Sequence, residues 1–249
     1  AFNDIDVALI SHPSNQYYKS GRSLAMEAIQ FSYYGKTSHA AGSPEKGINA
    51  LDAAINTFNN INALREHVRS DARIHGVIIE GGKAANIVPD YAVARFYVRA
   101  TTKTYLKGLV ERVKNCARGA SLAAGTKMEI TYYENSCDNL ITNQKLLQVF
   151  SEQMMELGCN KLNEPRKNLG STDVGNVSHC CPTINTYFDI TNNPEIVAHT
   201  KEFAEATKTK YAYEQMKLTI SALAMTGIEV IKNKELLLKI KNEFENVEK

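Results

Sequence analysis

Three of the six histidines and one arginine stand where this chain could do chemistry. Near neutral pH an imidazole can donate a hydrogen bond, accept one or bind a metal, and a guanidinium can hold a carboxylate through two parallel hydrogen bonds. The residues are His12, His39, His199 and Arg99. Each could equally be an ordinary surface side chain, so their roles depend on the elements that position them.

His39 lies in a loop of small residues that follows a strand pattern over residues 26–34. Small neighbours would let a substrate or another backbone approach the imidazole closely. Pro44 and Glu45 form a helix start signal after this loop, and the apolar spacing predicts a helix over residues 44–68. A functional loop tip and an ordinary surface loop both fit this pattern.

His12 and His199 lie at two predicted junctions between a loop and a regular element. His12 follows a buried strand predicted over residues 5–10, and α/β proteins place ligand groups at the ends of parallel strands. His199 precedes Thr200, a residue type that caps helices, so its ring would be held rigidly. A neutral imidazole is the commonest metal ligand in proteins, although a histidine in a capped turn would also fit each position.

A loop beginning at Gly170 and Ser171 and a strand end at Arg99 offer two ways to hold a carboxylate. The backbone N–H groups of a loop of small residues can surround a carboxylate or an amide group. Arg99 ends a strand predicted over residues 91–100, and its guanidinium could grip a carboxylate in a way that lysine cannot. A turn capped by its own side chains and a solvated strand-end charge are the alternatives.

The composition, with 43% hydrophobic and 22% charged residues, is that of a globular protein. A net charge of +2 without a basic block disfavours nucleic acid as a partner, and no apolar run reaches the length of a membrane span. The five cysteines include one adjacent pair and no Cys-x-x-Cys spacing, which disfavours a disulfide framework and a zinc knuckle. These features favour a cytoplasmic protein.

The predicted elements between residues 26 and 134 follow the order strand, helix, strand, strand, helix, strand, which is the ferredoxin-like pattern. Its remaining parts are a strand over 75–80, a turn at Gly81 and Gly82, a helix over 104–124 and a strand over 128–134. The flanking stretches alternate helices and short strands, as an α/β layer does. We therefore expect a domain at residues 23–134 inserted into an α/β domain made of residues 1–22 and 135–249.

Both ends of the chain carry further expectations. The first predicted strand has no upstream neighbour to pair with, which predicts that the chain is a fragment of a longer protein. Residues 232–249 are mostly charged around a small apolar set, which predicts a terminal helix that packs weakly or against a partner.

Four stretches, taken in order, resemble a known family. They are residues 6–13, 35–55, 85–90 and 170–173. They resemble the aminoacylase/carboxypeptidase G family of dinuclear metal amidohydrolases, and within it the branch of aminobenzoyl-glutamate hydrolases, indole-acetyl-amino-acid hydrolases and related dipeptidases. The resemblance implies an α/β fold in which a truncated metallopeptidase-type catalytic domain carries an inserted ferredoxin-like domain that acts as lid and dimerisation domain.

The resemblance also implies an activity, namely metal-dependent hydrolysis of an amide bond in an N-acyl amino acid or a dipeptide-like small molecule. His12 and His199 match two metal-binding histidines of the family, whose members hold two divalent ions. Zinc is the metal it implies first, with manganese and cobalt as alternatives. Such ions lower the pKa of a water molecule so that hydroxide can attack the amide carbonyl.

Further matches indicate how the substrate would be held. His39 matches a lid histidine that reaches across a homodimer and polarises the scissile carbonyl. Asn86 and Arg99 match lid positions for the carbonyl and the carboxylate of the substrate. Gly170 and Ser171 match a loop that lines the substrate pocket.

One part of the family pattern is absent from this sequence. The family's early segment carries a His-x-Asp or Cys-x-His motif and a Glu-Glu pair, one glutamate of which is the general base. Neither His-x-Asp nor Glu-Glu occurs in the chain. We therefore expect the isolated chain to be inactive. The alternative is a non-catalytic dimerisation or binding module built on the ferredoxin-like domain.

Overall fold

The computed structural model describes residues 2, 4–167 and 169–247. The chain has the predicted mixed α/β fold and divides into two compact units. We call Leu24–Asn139 the inserted unit, and Ala1–Ser23 together with Leu140–Lys249 the α/β unit. None of the helices in the described ranges is both long and apolar enough to cross a membrane.

The elements are numbered in chain order. The strands are β1 (Ala8–Ser14), β2 (Ala25–Tyr34), β3 (Arg73–Glu80), β4 (Tyr91–Ala100), β5 (Lys127–Tyr132) and β6 (Thr183–Asp189). The α-helices are α1 (Ala50–Leu64), α2 (Lys103–Ala124), α3 (Gln144–Glu156), α4 (Val174–Ser178), α5 (Lys201–Ala206), α6 (Lys210–Lys232) and α7 (Lys234–Asn246).

The inserted unit is the predicted ferredoxin-like fold. Its antiparallel sheet has the strand order β3-β4-β2-β5, and α1 and α2 pack on it. Alternation along the strands separates two faces, one of which buries Phe31, Phe96 and Val98 completely. The Phe96 ring lies 5.9 Å from that of Phe31 and 4.6 Å from that of Phe58 on α1. The helices therefore cover the Phe96 face, and half-buried Arg99 lies on the opposite face.

Helix α1 is shorter than predicted at both ends. Pro44 opens only a 3-10 turn, because Ile48 and Lys36 exchange two backbone hydrogen bonds of 2.9 Å that hold the next residues extended. The helix begins after Asn49, whose side-chain oxygen accepts hydrogen bonds from two N–H groups of the first turn, at 3.0 and 3.4 Å. At the other end, a 3-10 turn at Arg65–His67 replaces the last predicted turn.

The predicted two-glycine turn between β3 and β4 is wrong, since residues 81–90 form a longer loop. Within it, Val88 donates its backbone N–H to the Ser38 carbonyl at 3.0 Å, and Ala40 donates to the Asn86 carbonyl at 3.0 Å. Because the loop satisfies its backbone groups against a second loop, it does not need the ladder of a tight hairpin.

Helix α2 and strand β5 lie close to their predicted positions. The Thr102 hydroxyl caps α2 by accepting a hydrogen bond from the Tyr105 N–H at 3.3 Å. Gly125 ends the helix with a φ of 71°, a backbone conformation that glycine adopts without a steric penalty. Strand β5 ends at Tyr132, before the predicted residue 134.

In the α/β unit, β1 and β6 pair in parallel, and α3, α6 and α7 pack around them. Strand β1 begins and ends later than the predicted range of 5–10, so His12 lies within the strand and not after it. The strand is half-buried with Pro13 exposed, so the prediction of a buried strand is wrong. In the described ranges only β6 forms a ladder with β1, so β1 is an edge strand of this two-stranded sheet.

The C-terminal region packs more tightly than predicted. The predicted terminal helix is α7, which follows α6 directly, and Asn233 between them caps α7 by accepting a hydrogen bond from the Leu236 N–H at 3.0 Å. Ile240 of α7 is completely buried in the core that also contains Phe150 of α3. Residues 248 and 249 of the predicted helix lie outside the described residues.

Candidate active site

A cavity of about 420 Å³ lies beside the paired strands β1 and β6. All its lining residues belong to the α/β unit. The parallel register places His12 next to Tyr187, and both side chains line the cavity. The cavity also receives four of the candidate positions from the sequence, which are His12, Gly170, Ser171 and His199.

His12 is held in place by a buried carboxamide. Its Nδ1 atom lies 2.7 Å from the Oδ1 atom of Asn185, a β6 residue that is 1% exposed. On the other side its ring centroid lies 6.0 Å from that of Tyr187. Because both neighbours lie on β6, the pairing of the two strands sets the position of the imidazole.

His199 reaches the same cavity from the loop before α5. The Thr200 hydroxyl caps α5, as predicted, by accepting a hydrogen bond from the Phe203 N–H at 3.2 Å. The His199 backbone has a φ of 71°, which is the left-handed region that a non-glycine residue enters at a cost. Such strain recurs at ligand-binding positions, and here it fixes the point from which the exposed imidazole leaves the chain.

The loop at Gly170 and Ser171 combines a capped turn with one free hydroxyl. The Thr172 hydroxyl accepts a hydrogen bond from the Val174 N–H at 3.3 Å where α4 begins, so the capped-turn alternative is present. Ser171 Oγ is buried and has no hydrogen-bond partner among the described residues. A Cβ atom on Gly170 would meet no atom within 4 Å, so packing does not require glycine there. The free Ser171 hydroxyl can bind a ligand in the cavity.

Arg166 is a cavity residue that sequence reasoning missed. Its guanidinium carbon lies 4.2 Å from the centre of the Tyr187 ring and 5.0 Å from that of Tyr18, and it donates a hydrogen bond to Ser14 Oγ. Among the described residues no carboxylate lies within ion-pair distance of it. Stacked rings leave the edge of a guanidinium free for an anion. No motif in the sequence marks this arginine, because only the fold brings it to the two tyrosines.

The described residues do not complete a metal centre by themselves. Within the ranges that the structure covers, no three His, Cys, Asp or Glu side chains stand close enough to hold a metal ion. His12 and His199 are two nitrogen donors on one cavity, whereas zinc takes three or four protein ligands. The other charged side chains on the cavity, Lys19, Arg22 and Arg166, are all cations. The two imidazoles could therefore contribute at most two ligands to a metal ion bound in this cavity.

In the inserted unit, the His39 loop is built on close backbone approaches. A Cβ atom on Gly35 would overlap the Ile48 carbonyl oxygen, so only glycine permits this approach. A Cβ atom on Gly47 would overlap Ser38 Oγ in the same way. These contacts hold the loop that presents His39 against the residues leading into α1.

The His39 imidazole is exposed, and its hydrogen bonds define which nitrogen faces outward. Nδ1 accepts hydrogen bonds from the backbone N–H groups of Ala41, at 3.3 Å, and Gly42, at 3.0 Å. In the neutral ring the proton is therefore on Nε2, which is left as an outward donor. Such a donor can form a hydrogen bond with a carbonyl oxygen that approaches the loop.

Asn86 is brought to the His39 loop, whereas Arg99 lies on another element. The backbone carbonyl of Asn86 accepts a hydrogen bond from the Ala40 N–H. The next residue, Ile87, forms a single antiparallel β-bridge with His39. Arg99 lies on β4 with its guanidinium carbon 5.3 Å from the centre of the Tyr97 ring. Its Nε is buried without a hydrogen-bond partner in the part of the chain that the structure describes.

A ferredoxin-like unit inserted into an α/β unit is the architecture that the family resemblance predicts for an amidohydrolase. The family model described as a peptidase dimerisation domain, that of the M20 peptidases, matches residues 24–123. This match, together with the relatives described below, confirms the family predicted from the sequence, with the M20 dimerisation domain lying in the inserted unit.

The relatives to which the chain is similar are named as peptidases and hydrolases. The chain is 36% identical to the Xaa-Arg dipeptidase of Homo sapiens over 247 residues, which cover 98% of this chain and 56% of that protein. It is 30% identical to one of the p-aminobenzoyl-glutamate hydrolase polypeptides of Escherichia coli over 164 residues, which cover 65% of this chain and 34% of that protein. The chain thus spans about half the length, or less, of the curated relatives it matches.

Solved structures show the same fold. An aminobenzoyl-glutamate utilization protein from Klebsiella pneumoniae matches with a TM-score of 0.68 and 16% identity, over 88% of this chain and 53% of that one. Aminopeptidase PepT from Bacillus cereus matches with a TM-score of 0.58 and 18% identity, over 88% and 57%. At these identities the likeness concerns the fold alone.

Proposed function

We propose that this chain is part of an enzyme that hydrolyses an amide bond in an N-acyl amino acid or a dipeptide-like substrate. The observation that carries the proposal is that His12, His199 and Ser171 meet on one cavity of a chain from a family of peptidases and amidohydrolases. The proposed location is the cytoplasm, on the basis of cysteine usage.

His12 and His199 are the proposed metal ligands of this chain. Two divalent ions, zinc before manganese or cobalt, would supply a water of lowered pKa and an electrophile for the substrate carbonyl. The chain's own contribution is to hold two imidazoles, one within β1 and one before α5. The described residues bring no third metal-ligating side chain to these imidazoles, so we propose that this chain alone does not hydrolyse amides.

His39 is the proposed donor to the scissile carbonyl. A donor aimed at the oxygen where negative charge develops stabilises the transition state more than the bound substrate. The two N–H groups on Nδ1 leave Nε2 as that donor. The backbone carbonyl of Asn86 accepts a hydrogen bond from the Ala40 N–H in the loop that contains His39. Asn86 is the proposed second contact to the scissile carbonyl of the substrate.

The proposed anchors for the substrate's free carboxylate are two arginines. Arg99 has a buried Nε without a partner in the described ranges, and Arg166 has a guanidinium edge that no described carboxylate occupies. A guanidinium holds a carboxylate with two hydrogen bonds of fixed geometry. Gly170 and Ser171 would bind the same substrate through the free hydroxyl and the backbone of their loop.

The proposed assembly is a homodimer formed by the inserted unit. That unit matches the peptidase dimerisation domain, and its outermost strand β3 exposes Val77 and Ile79 by 53% and 52%. An exposed apolar edge strand is a ready surface for pairing with another chain. The alternative function, a non-catalytic dimerisation module, uses this surface alone.

The test is a substrate panel applied to the full-length protein loaded with zinc. The panel contains N-acetyl and N-benzoyl amino acids with acidic, neutral and basic side chains, together with the dipeptides that have the same C-terminal residues. Hydrolysis of any of these amides supports the proposed function. A metal-loaded dimer that hydrolyses none of them contradicts it and favours the dimerisation module.

A further inference from the structure

Asn185 is the buried polar residue in direct contact with a proposed metal ligand. It lies on β6 and is 1% exposed, and its Oδ1 atom lies 2.7 Å from Nδ1 of His12. Its backbone N–H donates to Ser20 Oγ at 2.9 Å, and its Nδ2 lies 3.5 Å from the Tyr187 hydroxyl oxygen. The carboxamide thus has a partner at its oxygen and another at its nitrogen, with the oxygen toward the imidazole.

We infer that Asn185 is a positioning residue that keeps His12 in one tautomer, with the proton on Nδ1 and a lone pair on Nε2. A distance of 2.7 Å is that of a short N–H···O hydrogen bond, in which the imidazole donates to the carboxamide oxygen. A neutral imidazole that donates from one nitrogen presents the other as a bare acceptor. Nε2 of His12 is therefore the ring nitrogen free to bind a cation.

The orientation of the carboxamide decides the tautomer of His12. A buried carboxamide oxygen without a donor would keep its desolvation cost, so in the orientation that the structure shows the Nδ1–H of His12 satisfies this oxygen. The reverse arrangement would turn the carboxamide so that Nδ2 donates to His12, and would move the ring proton to Nε2. In that arrangement the nitrogen outside the hydrogen bond could not bind a cation while it kept its proton.

The relation to catalysis rests on the proposed function, whereas the tautomer can be measured without substrate or activity. Long-range 1H–15N NMR of the imidazoles, at a pH where His12 is neutral, distinguishes a protonated nitrogen from a bare one. The protein is the 249-residue chain, and the His12 signals are those that disappear in His12→Gln. We expect a protonated Nδ1 and a bare Nε2 in the unsubstituted chain.

Three variants separate the role of the side chain from a general disturbance of β6. Asn185→Leu, which removes the acceptor, should shift His12 toward the Nε2–H tautomer, and Asn185→Asp, which restores an acceptor, should retain Nδ1–H. Thr186→Val changes the adjacent fully buried residue and should leave the tautomer unchanged.

A zinc titration followed on the same NMR signals measures the effect on metal binding. Asn185→Leu should bind zinc about 10-fold more weakly, as expected when the hydrogen-bond partner of a metal ligand is removed.

Two results would overturn the inference. One is an Nε2–H tautomer in the unsubstituted chain, and the other is an unchanged tautomer in an Asn185→Leu variant that remains folded by circular dichroism. Failure of the full-length protein to hydrolyse amides would remove the proposed function but would leave the tautomer assignment standing. The two failures are therefore distinguishable.

Discussion

At the scale of single residues, hydrogen bonds define the chemical state of two imidazoles. Two backbone N–H groups occupy Nδ1 of His39, and one carboxamide oxygen faces Nδ1 of His12. The first ring is thereby left as a donor through Nε2 and the second as an acceptor. These opposite states suit opposite tasks, polarising a carbonyl and binding a cation.

Replacement of His39 by alanine should lower turnover much more than stability. In the full-length protein we expect kcat to fall about 100-fold or more, the usual effect of removing one oxyanion donor. The melting temperature should change little, since the side chain is exposed at a loop. His67→Ala, which removes another exposed histidine of the same unit, is the matched control. A lower melting temperature with unchanged kcat would contradict the role.

Replacement of Arg166 by methionine should weaken binding of substrates that carry a free carboxylate. We expect KM for such a substrate to rise about 10-fold or more, because a charge-assisted hydrogen bond is worth roughly 1.5–3 kcal/mol. A substrate whose carboxylate is capped as an amide should show no such change. Lys167→Met removes an adjacent exposed charge that does not line the cavity and serves as control. Equal effects of both variants would show that only overall charge matters.

At the scale of elements, the sequence-based predictions failed where hydrogen bonds to residues distant in sequence set the position of an element. Helix α2 and the Thr200 cap follow from local signals and were predicted. The late start of α1 depends on the hydrogen bonds between Lys36 and Ile48, and the loop at residues 81–90 depends on hydrogen bonds to the loop that contains His39. The neighbours of His12 were missed for the same reason, because Asn185 reaches it only through the pairing of β1 with β6.

Acidification should destabilise the inserted unit through His75 on β3. Partial burial lowers the pKa of His75, and the nearby charges of Arg99 and Arg65 lower it further. The unfolded chain therefore binds the proton more readily than the folded one, so stability present above about pH 6.5 is lost as the pH falls toward the folded pKa.

This pH dependence can be checked by thermal unfolding followed by circular dichroism. Between about pH 7.5 and about pH 5, which brackets the ordinary pKa of histidine, the melting temperature of His75→Gln should fall less than that of the unsubstituted chain. His67→Gln, at an exposed position of the same unit, should behave like the unsubstituted chain. Identical curves for His75→Gln and the unsubstituted chain would contradict the assignment.

The edge strand β3 should be sensitive to charge. Val77→Lys places a cation on an exposed apolar edge, which is a device that prevents strand pairing. We expect this variant to be monomeric in light scattering coupled to gel filtration at a concentration where the unsubstituted chain is dimeric. Met155→Lys, at a residue of the α/β unit that is 58% exposed, should remain dimeric. A dimer with Val77→Lys would exclude β3 as the interface.

At the scale of the whole molecule, the sequence predicted the fold class, the family and the ferredoxin-like unit, because these depend on periodicity and on ordered motifs. It could not predict that Arg166 lines the cavity. The position of this arginine depends on Ser14 of β1, Tyr187 of β6 and Tyr18 of the loop after β1. The chain supplies two imidazoles and a cationic cavity, and the proposed enzyme requires acidic groups to complement them.

The most direct test of this account is hydrolysis by the full-length protein before and after removal of its metal. We predict that chelation abolishes activity and that zinc restores it. His12→Gln and His199→Gln should each lower activity about 100-fold and weaken zinc binding, since each removes a ligand. Activity that survives both chelation and the two substitutions would contradict the central claim that these histidines hold a catalytic metal.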